Sequence, residues 1–223
     1  MQFSGFLFTP ILYYFLPITQ VEAAIYWSLF SFIIALIIIL YLMKPDMKQY
    51  YMRKEASPAN PVLWVIIGIF MAYFAQFIAV YIETEILKIP PGSENTAMIM
   101  EITRMAPIFM IVPAIIAPIL EEIIFRKIIF GSLYKRTNFF IAAVLSALLF
   151  GIIHSEPIHL LIYTSMGFVF AYLYVKTKRI IVPIIVHMTL NTISVSLQLL
   201  LDVEDLERII QEQQAIMIVL LGG

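Results

Sequence analysis

The stretch 105-MAPIFMIVPAIIAPILEEIIFRKIIF-130 is apolar over most of its length, yet it holds two adjacent carboxylates, Glu121 and Glu122. A helix needs a run of about 20 apolar residues to cross the hydrocarbon core of a bilayer. A charged side chain at that depth costs ~2.5 kcal/mol or more and by default marks function. The stretch therefore predicts a membrane-spanning helix that carries a polar centre.

The composition of the whole chain agrees with a membrane protein. Of its 223 residues, 62% are apolar and 13% are charged, whereas soluble domains are about half apolar and about a quarter charged. The net charge of −1 and the lack of a basic stripe indicate no nucleic-acid partner. No cysteine is present, which excludes disulfides, thiolate nucleophiles and thiolate metal ligands. The N-terminus lacks a basic region and a small-residue cleavage site, so no signal peptide is expected.

Apolar runs of spanning length recur along the chain. They predict an all-α fold, a multi-pass transmembrane helical bundle of about seven spans, within a range of about six to eight. We expect residues 1–223 to form a single integral membrane domain in contact with the lipid bilayer. The predicted spans are Glu22–Met43, Val62–Ile82, Met105–Phe130, Asn138–His154, Ile158–Val175 and Ile180–Leu201, with Phe3–Leu16 as a partial span and Ala215–Leu221 as an interfacial or truncated segment.

The loops between the predicted spans alternate between basic and acidic. Because basic loops stay in the cytoplasm, this alternation predicts a cell-membrane protein with its N-terminus and basic loops on the cytoplasmic side. The basic loops carry Lys44, Lys48, Arg53 and Lys54, then Lys135 and Arg136, then Lys176, Lys178 and Arg179. The acidic loops carry Glu83, Glu85 and Glu94, then Asp202, Glu204, Asp205 and Glu207.

Helical spacing places the charged residues of this stretch on two different faces of the helix. Arg126 follows Glu122 by four residues, so the two side chains share a helix face and can form a salt bridge. Glu121 points about 100° away around the helix and is free to face another group. A carboxylate in a low dielectric has a raised pKa and can take a proton from water.

Two further predicted spans carry polar side chains at depths that overlap with the glutamates. His154 ends one span, and His187 lies one turn before Asn191 in another. Neutral imidazole can bind a water molecule, a divalent metal or an oxyanion, and an asparagine amide can donate to an oxyanion. Together with a glutamate base, these groups suit hydrolysis of an amide bond by activated water inside the membrane.

Three motifs follow one another, each on its own predicted helix: EExxxR at Glu121–Arg126, FxxxH at Phe150–His154, and HxxxN at His187–Asn191. Across residues 118–195 this pattern resembles the CPBP family of intramembrane proteases, which includes type 2 CAAX prenyl proteases and Abi proteins. The resemblance implies a catalytic core over about 105–201. It also implies an endopeptidase that hydrolyses a peptide bond of a membrane-associated or hydrophobic peptide.

The family's roles carry over to the matching positions. The resemblance implies Glu121 as the general base, His154 as a ligand of the attacking water, His187 and Asn191 as oxyanion donors, and Glu122 and Arg126 as the supporting pair. Phe150 is expected to shape the pocket. A divalent metal such as zinc, held by Glu121, His154 and His187, and a metal-free constellation both remain open.

Other interpretations compete with catalysis. The fold could serve a non-catalytic membrane scaffold or regulator, or a proton-coupled carrier, although the inverted repeats of carriers are missing. Locally, Glu122 and Arg126 could form a purely structural pair, and Asn191 could join helices. Glu156 and His159 are interpreted as interfacial residues, and Gly167 as a close-packing position. Prenylated C-terminal peptides, bacteriocin leaders and signalling peptides all remain open as substrates.

Overall fold

The computed structural model describes residues 2–52, 60–154 and 156–200, which form helices joined by short connections and contain no strand. The predicted all-α, multi-pass helical bundle is confirmed. Its helices are α1 (Gln2–Phe15), α2 (Gln20–Met52), α3 (Pro61–Tyr81, continued by a π-helical turn over Ile82–Ile86), α4 (Glu94–Met105), α5 (Pro107–Tyr134), α6 (Phe139–Ile153), α7 (Leu160–Thr177) and α8 (Ile181–Leu200).

Five of these helical segments are long and apolar enough to cross a membrane, namely those containing α2, α3, α5, α7 and α8. Two shorter apolar helices, α1 and α6, complete a set of seven within the described ranges, in line with the predicted count. The predicted segment Ala215–Leu221 and the acidic residues from Asp202 to Glu207 lie outside the described residues, as do Arg53 and Lys54.

Helix α4 lies where the sequence predicted only an acidic loop. It begins after Gly92, which adopts φ +123°, and the hydroxyl of Ser93 caps it by accepting the backbone N–H of Thr96. It ends at Ala106, whose φ of −137° separates it from α5. The predicted span Met105–Phe130 therefore starts two residues later, at Pro107, a residue well suited to a helix start.

Helix α5 lies inside the bundle, whereas α2 lies at its edge. Half of the apolar segment of α5 is buried within the protein, against 11% of that of α2. The lipid-facing side chains of the bundle are correspondingly large and apolar, as at Phe70, which is 72% exposed. The polar centre predicted from the sequence therefore sits on the most enclosed of the long helices.

The backbone of α5 alternates between helix types. A π-helical turn at Val112–Ile116 is followed by one α-helical turn and then by a π-helical segment at Glu122–Phe130. In a π-helical turn the carbonyl of Pro113 would accept from residue i+5, but that residue is Pro118, which has no N–H. The side-chain amide of Asn191 donates to this carbonyl instead, at 2.9 Å.

Small residues bring α6 and α7 close to α5. A Cβ built at Gly167 would lie 2.9 Å from the Cβ of Ala147 and 3.7 Å from Nη2 of Arg126. Ala171 is fully buried in a cluster with residues of α5 and α6, including Phe130. The predicted close-packing role of Gly167 is confirmed, and it places these helices around the charged residues of α5.

Candidate active site

The charged centre predicted on α5 forms a chain of three contacts that reaches α8. Nε of Arg126 lies 3.1 Å from Oε2 of Glu122, and both side chains are fully buried. The other oxygen of Glu122, Oε1, lies 3.0 Å from Nδ1 of His187. The predicted salt bridge between Glu122 and Arg126 is therefore present, and it also fixes an imidazole. We call Glu122, Arg126 and His187 the inner centre.

Aromatic rings enclose the guanidinium of Arg126. Its central carbon lies 4.6 Å from the ring centroid of Phe150 and 5.3 Å from that of Phe170. Its Nη1 and Nη2 have no hydrogen-bond acceptor, so the π-faces of these rings are their principal attractive surroundings. Phe150 is 2% exposed and packs in the site as expected.

Glu121 approaches the same imidazole from its other nitrogen. Its Oε2 lies 3.8 Å from Nε2 of His187, and its side chain is 23% exposed, whereas that of Glu122 is fully buried. The sequence predicted that the two glutamates point about 100° apart, toward different partners. In the structure both carboxylates approach the same partner, because Glu121 lies near Nε2 of His187 and Glu122 lies near Nδ1.

Hydrogen bonding assigns the proton of His187. A carboxylate only accepts hydrogen bonds when it is ionised, so Nδ1 of His187 carries the proton that Glu122 accepts. In the neutral imidazole Nε2 then presents a lone pair, and in the imidazolium it presents a second N–H toward Glu121. The ring stacks on Phe170 at 4.8 Å, which fixes its plane.

His154 lies at the end of α6 in a separate set of contacts. Its Nδ1 donates to the backbone oxygen of Phe150 at 2.7 Å, which leaves Nε2 as the acceptor in the neutral ring. No hydrogen bond or ion pair links it to Glu121, Glu122 or His187. The ring of Phe150 lies between the two histidines, with its centroid 4.6 Å from that of His154 and 6.0 Å from that of His187.

The predicted metal ligands do not converge. Within the described part of the chain, no three His, Asp or Glu side chains are grouped closely enough to hold one ion. The contacts agree with this: Nδ1 of His187 is engaged by Glu122, and Nδ1 of His154 is engaged by the backbone oxygen of Phe150. Since a catalytic zinc takes three protein ligands, we derive no step through a metal.

A second cluster of polar residues lies at one end of the bundle, and most of it was not predicted from the sequence. Glu83 is 1% exposed, and its Oε2 lies 2.8 Å from Nδ1 of His159. Glu156 accepts from the hydroxyls of Ser93 and Tyr163. We call these five residues, together with the backbone N–H of Asn95, the rim cluster.

Two expectations need correction at this rim cluster. Glu83 was assigned to an acidic loop, but it continues α3 as a π-helical turn and is buried. His159 was interpreted as interfacial, but it is 9% exposed and paired with Glu83. The missed signal was Ile82 and Ile86 on either side of the acidic residues, which extend the apolar pattern of α3.

Comparisons with known proteins agree with the arrangement of the motifs. The profile of the family described as type II CAAX prenyl endopeptidase Rce1-like matches residues 103–193. The putative membrane peptidase YdiL of Bacillus subtilis is 41% identical, over the whole of this chain and 93% of YdiL. The membrane-embedded CAAX protease MroQ of Staphylococcus aureus is 34% identical, over 80% of this chain and 76% of MroQ. No solved structure matches significantly.

The fold and these relatives define the class as membrane peptidases. The chain belongs to the Rce1-like CAAX prenyl endopeptidase family. The resemblance that the three sequence motifs indicated is thereby confirmed.

Proposed function

We propose that this membrane peptidase uses Glu121 as a general base that activates water for attack on a peptide bond. The observation that carries the proposal is the division of labour between the two glutamates. Glu122 is fully buried and committed to Arg126 and His187, whereas Glu121 is partly exposed and, among the described residues, has only His187 within salt-bridge distance. A general base must be able to reach water, and Glu121 meets this condition better than Glu122.

The proposed reaction follows from these contacts. Glu121 takes a proton from water as the water oxygen bonds to the carbonyl carbon, and the carbonyl π electrons move to oxygen. Collapse of this intermediate breaks the C–N bond, and Glu121 returns the proton to the departing amine. His154 would accept a hydrogen bond from the attacking water through Nε2, which its contact with Phe150 leaves available.

His187 and Asn191 are the proposed donors to the developing oxyanion. When protonated, His187 presents Nε2–H to the oxyanion, while the carboxylate of Glu122 accepts from Nδ1–H on the other side of the ring. Asn191 uses its amide to brace α8 against Pro113 beside the site, so its contribution includes positioning as well as donation. Arg126 offsets the charge of Glu122 through their contact at 3.1 Å.

The proposed substrate is a membrane-associated or hydrophobic peptide, because the site lies on the most enclosed spanning helix. The family description names a CAAX prenyl endopeptidase, and prenylated peptides are therefore the first class to test. We also propose insertion in the cell membrane with the basic loops in the cytoplasm. In support, Lys135 and Lys178 lie in short connections at helix ends and are exposed.

The test compares two isosteric variants, Glu121→Gln and Glu122→Gln, by peptidomics of membranes and by cleavage of an internally quenched, prenylated peptide. We expect Glu121→Gln to reduce turnover by about 10²–10⁴-fold, the usual contribution of a general base, while the thermal unfolding midpoint in detergent is unchanged. Glu122→Gln should lose about 10–100-fold, as is typical of groups that orient a functional side chain. Normal peptide profiles and cleavage by a folded Glu121→Gln protein would refute the base assignment and favour a scaffold.

A further inference from the structure

His154 makes no hydrogen bond or ion pair to Glu121 or to the inner centre, so other residues must hold it in place. It caps the end of α6, and its own backbone N–H donates to the carbonyls of Gly151, at 3.2 Å, and Ile152. Among the described residues, its ring makes one hydrogen bond, from Nδ1 to the oxygen of Phe150. A helix end frays more easily than a helix interior, so a catalytic imidazole there needs further support.

Tyr163 provides a second contact on this imidazole. The two rings are stacked, with centroids 4.1 Å apart and planes at 22°. Tyr163 belongs to α7, and it therefore joins the end of α6 to a neighbouring helix. The ring of Phe150 contacts the imidazole as well, at 4.6 Å, so that two aromatic rings restrict its plane.

The phenol of Tyr163 is itself tightly fixed. Its hydroxyl donates to Oε2 of Glu156 at 2.6 Å, which is short for such a bond and typical of an ionised acceptor. Glu156 in turn accepts from the hydroxyl of Ser93 at 2.8 Å and from the backbone N–H of Asn95 at 2.8 Å. The capped start of α4 thereby holds the carboxylate, and the carboxylate holds the tyrosine.

We propose that Tyr163, anchored by Glu156, is a positioning residue that fixes the plane and the tautomer of His154. The inference rests on the proposed role of His154 as the group that accepts from the attacking water. Tyr163 acts through the imidazole and does not take part in proton transfer. Helix α4, which the sequence analysis did not predict, thereby becomes part of the support of the active site.

The direct test is the tautomer of His154, which needs no substrate. In detergent-solubilised protein with ¹⁵N-labelled imidazoles, the chain gives signals from three histidines, and His154→Gln assigns one of them. We expect wild-type His154 to hold its proton on Nδ1 alone, and Tyr163→Leu to show a mixture of both tautomers. Tyr163→Phe and Glu156→Gln, which keep the ring, should give a smaller admixture.

The matched control is Tyr172→Leu, because Tyr172 lies on the same helix and packs against Trp64, at 6.2 Å, remote from His154. It should leave the His154 signal unchanged. A single tautomer in a folded Tyr163→Leu protein, or an equal change in the control, would overturn the proposal. If Tyr163→Leu fails to fold, the tautomer in Tyr163→Phe and Glu156→Gln decides in the same way.

Cleavage of the quenched, prenylated peptide gives the functional readout. We expect Tyr163→Leu to lower kcat at least about tenfold with KM within about twofold of wild type, because a misplaced group affects the chemical step more than binding. Tyr163→Phe should recover part of kcat. Unchanged kcat in Tyr163→Leu contradicts the positioning role, whereas unchanged cleavage by Glu121→Gln contradicts the proposed function and leaves the tautomer result to stand by itself.

Discussion

The inner centre and the rim cluster both bury carboxylates, but the partners of these carboxylates differ in charge. Glu122 is matched by a guanidinium and an imidazole, with aromatic rings around them. Glu156 is matched by two hydroxyls and a backbone N–H, all of which are neutral. The inner centre therefore depends on charge balance, whereas much of the rim cluster depends on hydrogen-bond geometry.

This difference has a consequence for what each region tolerates. A buried ion that loses its counter-ion keeps the full cost of desolvation, because the interior offers no water to replace the partner. A partly solvated carboxylate that loses one neutral donor can recruit water. Changes in the inner centre should therefore cost more stability than equivalent changes in the rim cluster.

The largest effect is expected from Arg126→Met. This change leaves Glu122 buried without its cation and should cost about 3–5 kcal/mol, seen as a drop on the order of 10 °C in the thermal unfolding midpoint in detergent. The double variant Arg126→Met with Glu122→Gln removes the uncompensated charge as well. It should recover much of the lost stability without recovering peptidase activity. Equal midpoints for the single and double variants would contradict the charge-balance argument.

A smaller loss of stability is expected when either of two glycines at the contact between α6 and α7 is replaced by alanine, and the loss should differ between them. Alanine at Gly167 would meet Cβ of Ala147 at 2.9 Å and its backbone Cα at 3.0 Å, neither of which can move aside. Alanine at Gly151, near the rim cluster, would meet the Cδ1 end of the Leu160 side chain, which can rotate. We expect Gly167→Ala to cost about 1–3 kcal/mol, and Gly151→Ala clearly less.

The thermal midpoints of these two variants test this contrast, with Gly131→Ala as the control. A Cβ at Gly131 would meet only the backbone oxygen of Arg126, at an ordinary contact distance of 3.6 Å. That variant should be neutral or slightly stabilising, because alanine is the better helix former. A Gly151→Ala protein as unstable as Gly167→Ala would show that the rim is as rigid as the inner centre.

The two regions also differ in how much of them the sequence discloses. The inner centre was predictable because its charges stand out within apolar spans, and because Glu122 and Arg126 are one helical turn apart. Their partner His187 lies on a different helix, where the overlapping depths of the predicted spans and the family motif both placed it near the glutamates. The helical spacing placed Glu121 on a different face from Glu122, and it did not indicate that both carboxylates approach His187.

The rim cluster was largely unpredictable for a physical reason. Its polar residues lie near predicted span ends, where charged and hydroxyl side chains are ordinarily solvated. Whether Glu83 meets water or His159 depends on how α3 and α7 pack, which the hydropathy pattern does not encode. Tyr163 gave no signal either, because a tyrosine near the end of a span is expected on general grounds at any membrane interface.

Glu83→Gln tests the buried half of the rim cluster. Glutamine removes the charge and keeps one acceptor oxygen, which can still accept from His159, whereas its NH2 group replaces the oxygen that accepts from the backbone N–H of Ile162 at 3.3 Å. We expect a loss of about 1 kcal/mol in stability, measured as the thermal midpoint in detergent. A loss as large as that of Arg126→Met would mean that the Glu83–His159 contact is a charge pair of the inner type.

The smallest expected effect is a change in thermal stability at acidic pH. Burial by itself would raise the pKa of Glu156, but the hydrogen bonds from Tyr163, Asn95 and Ser93, with the nearby His159, outweigh it and lower that pKa below the ordinary 4.5. A carboxyl with a lowered pKa stabilises the fold above its unfolded pKa, and this contribution is lost as the pH falls through the folded value.

The thermal midpoint of the wild-type protein should therefore fall more steeply below about pH 4.5 than that of Glu156→Gln, which has no carboxyl to protonate at this position. The difference between the two curves isolates Glu156 from the other carboxylates, which titrate in both proteins. It should be small, because Glu156 is only partly buried and its charge is screened by solvent. If the thermal midpoints of the two proteins fall in parallel with pH, Tyr163 and the start of α4 hold the protonated carboxyl of Glu156 as firmly as the ionised one. The positioning of His154 by Tyr163 would then not depend on pH.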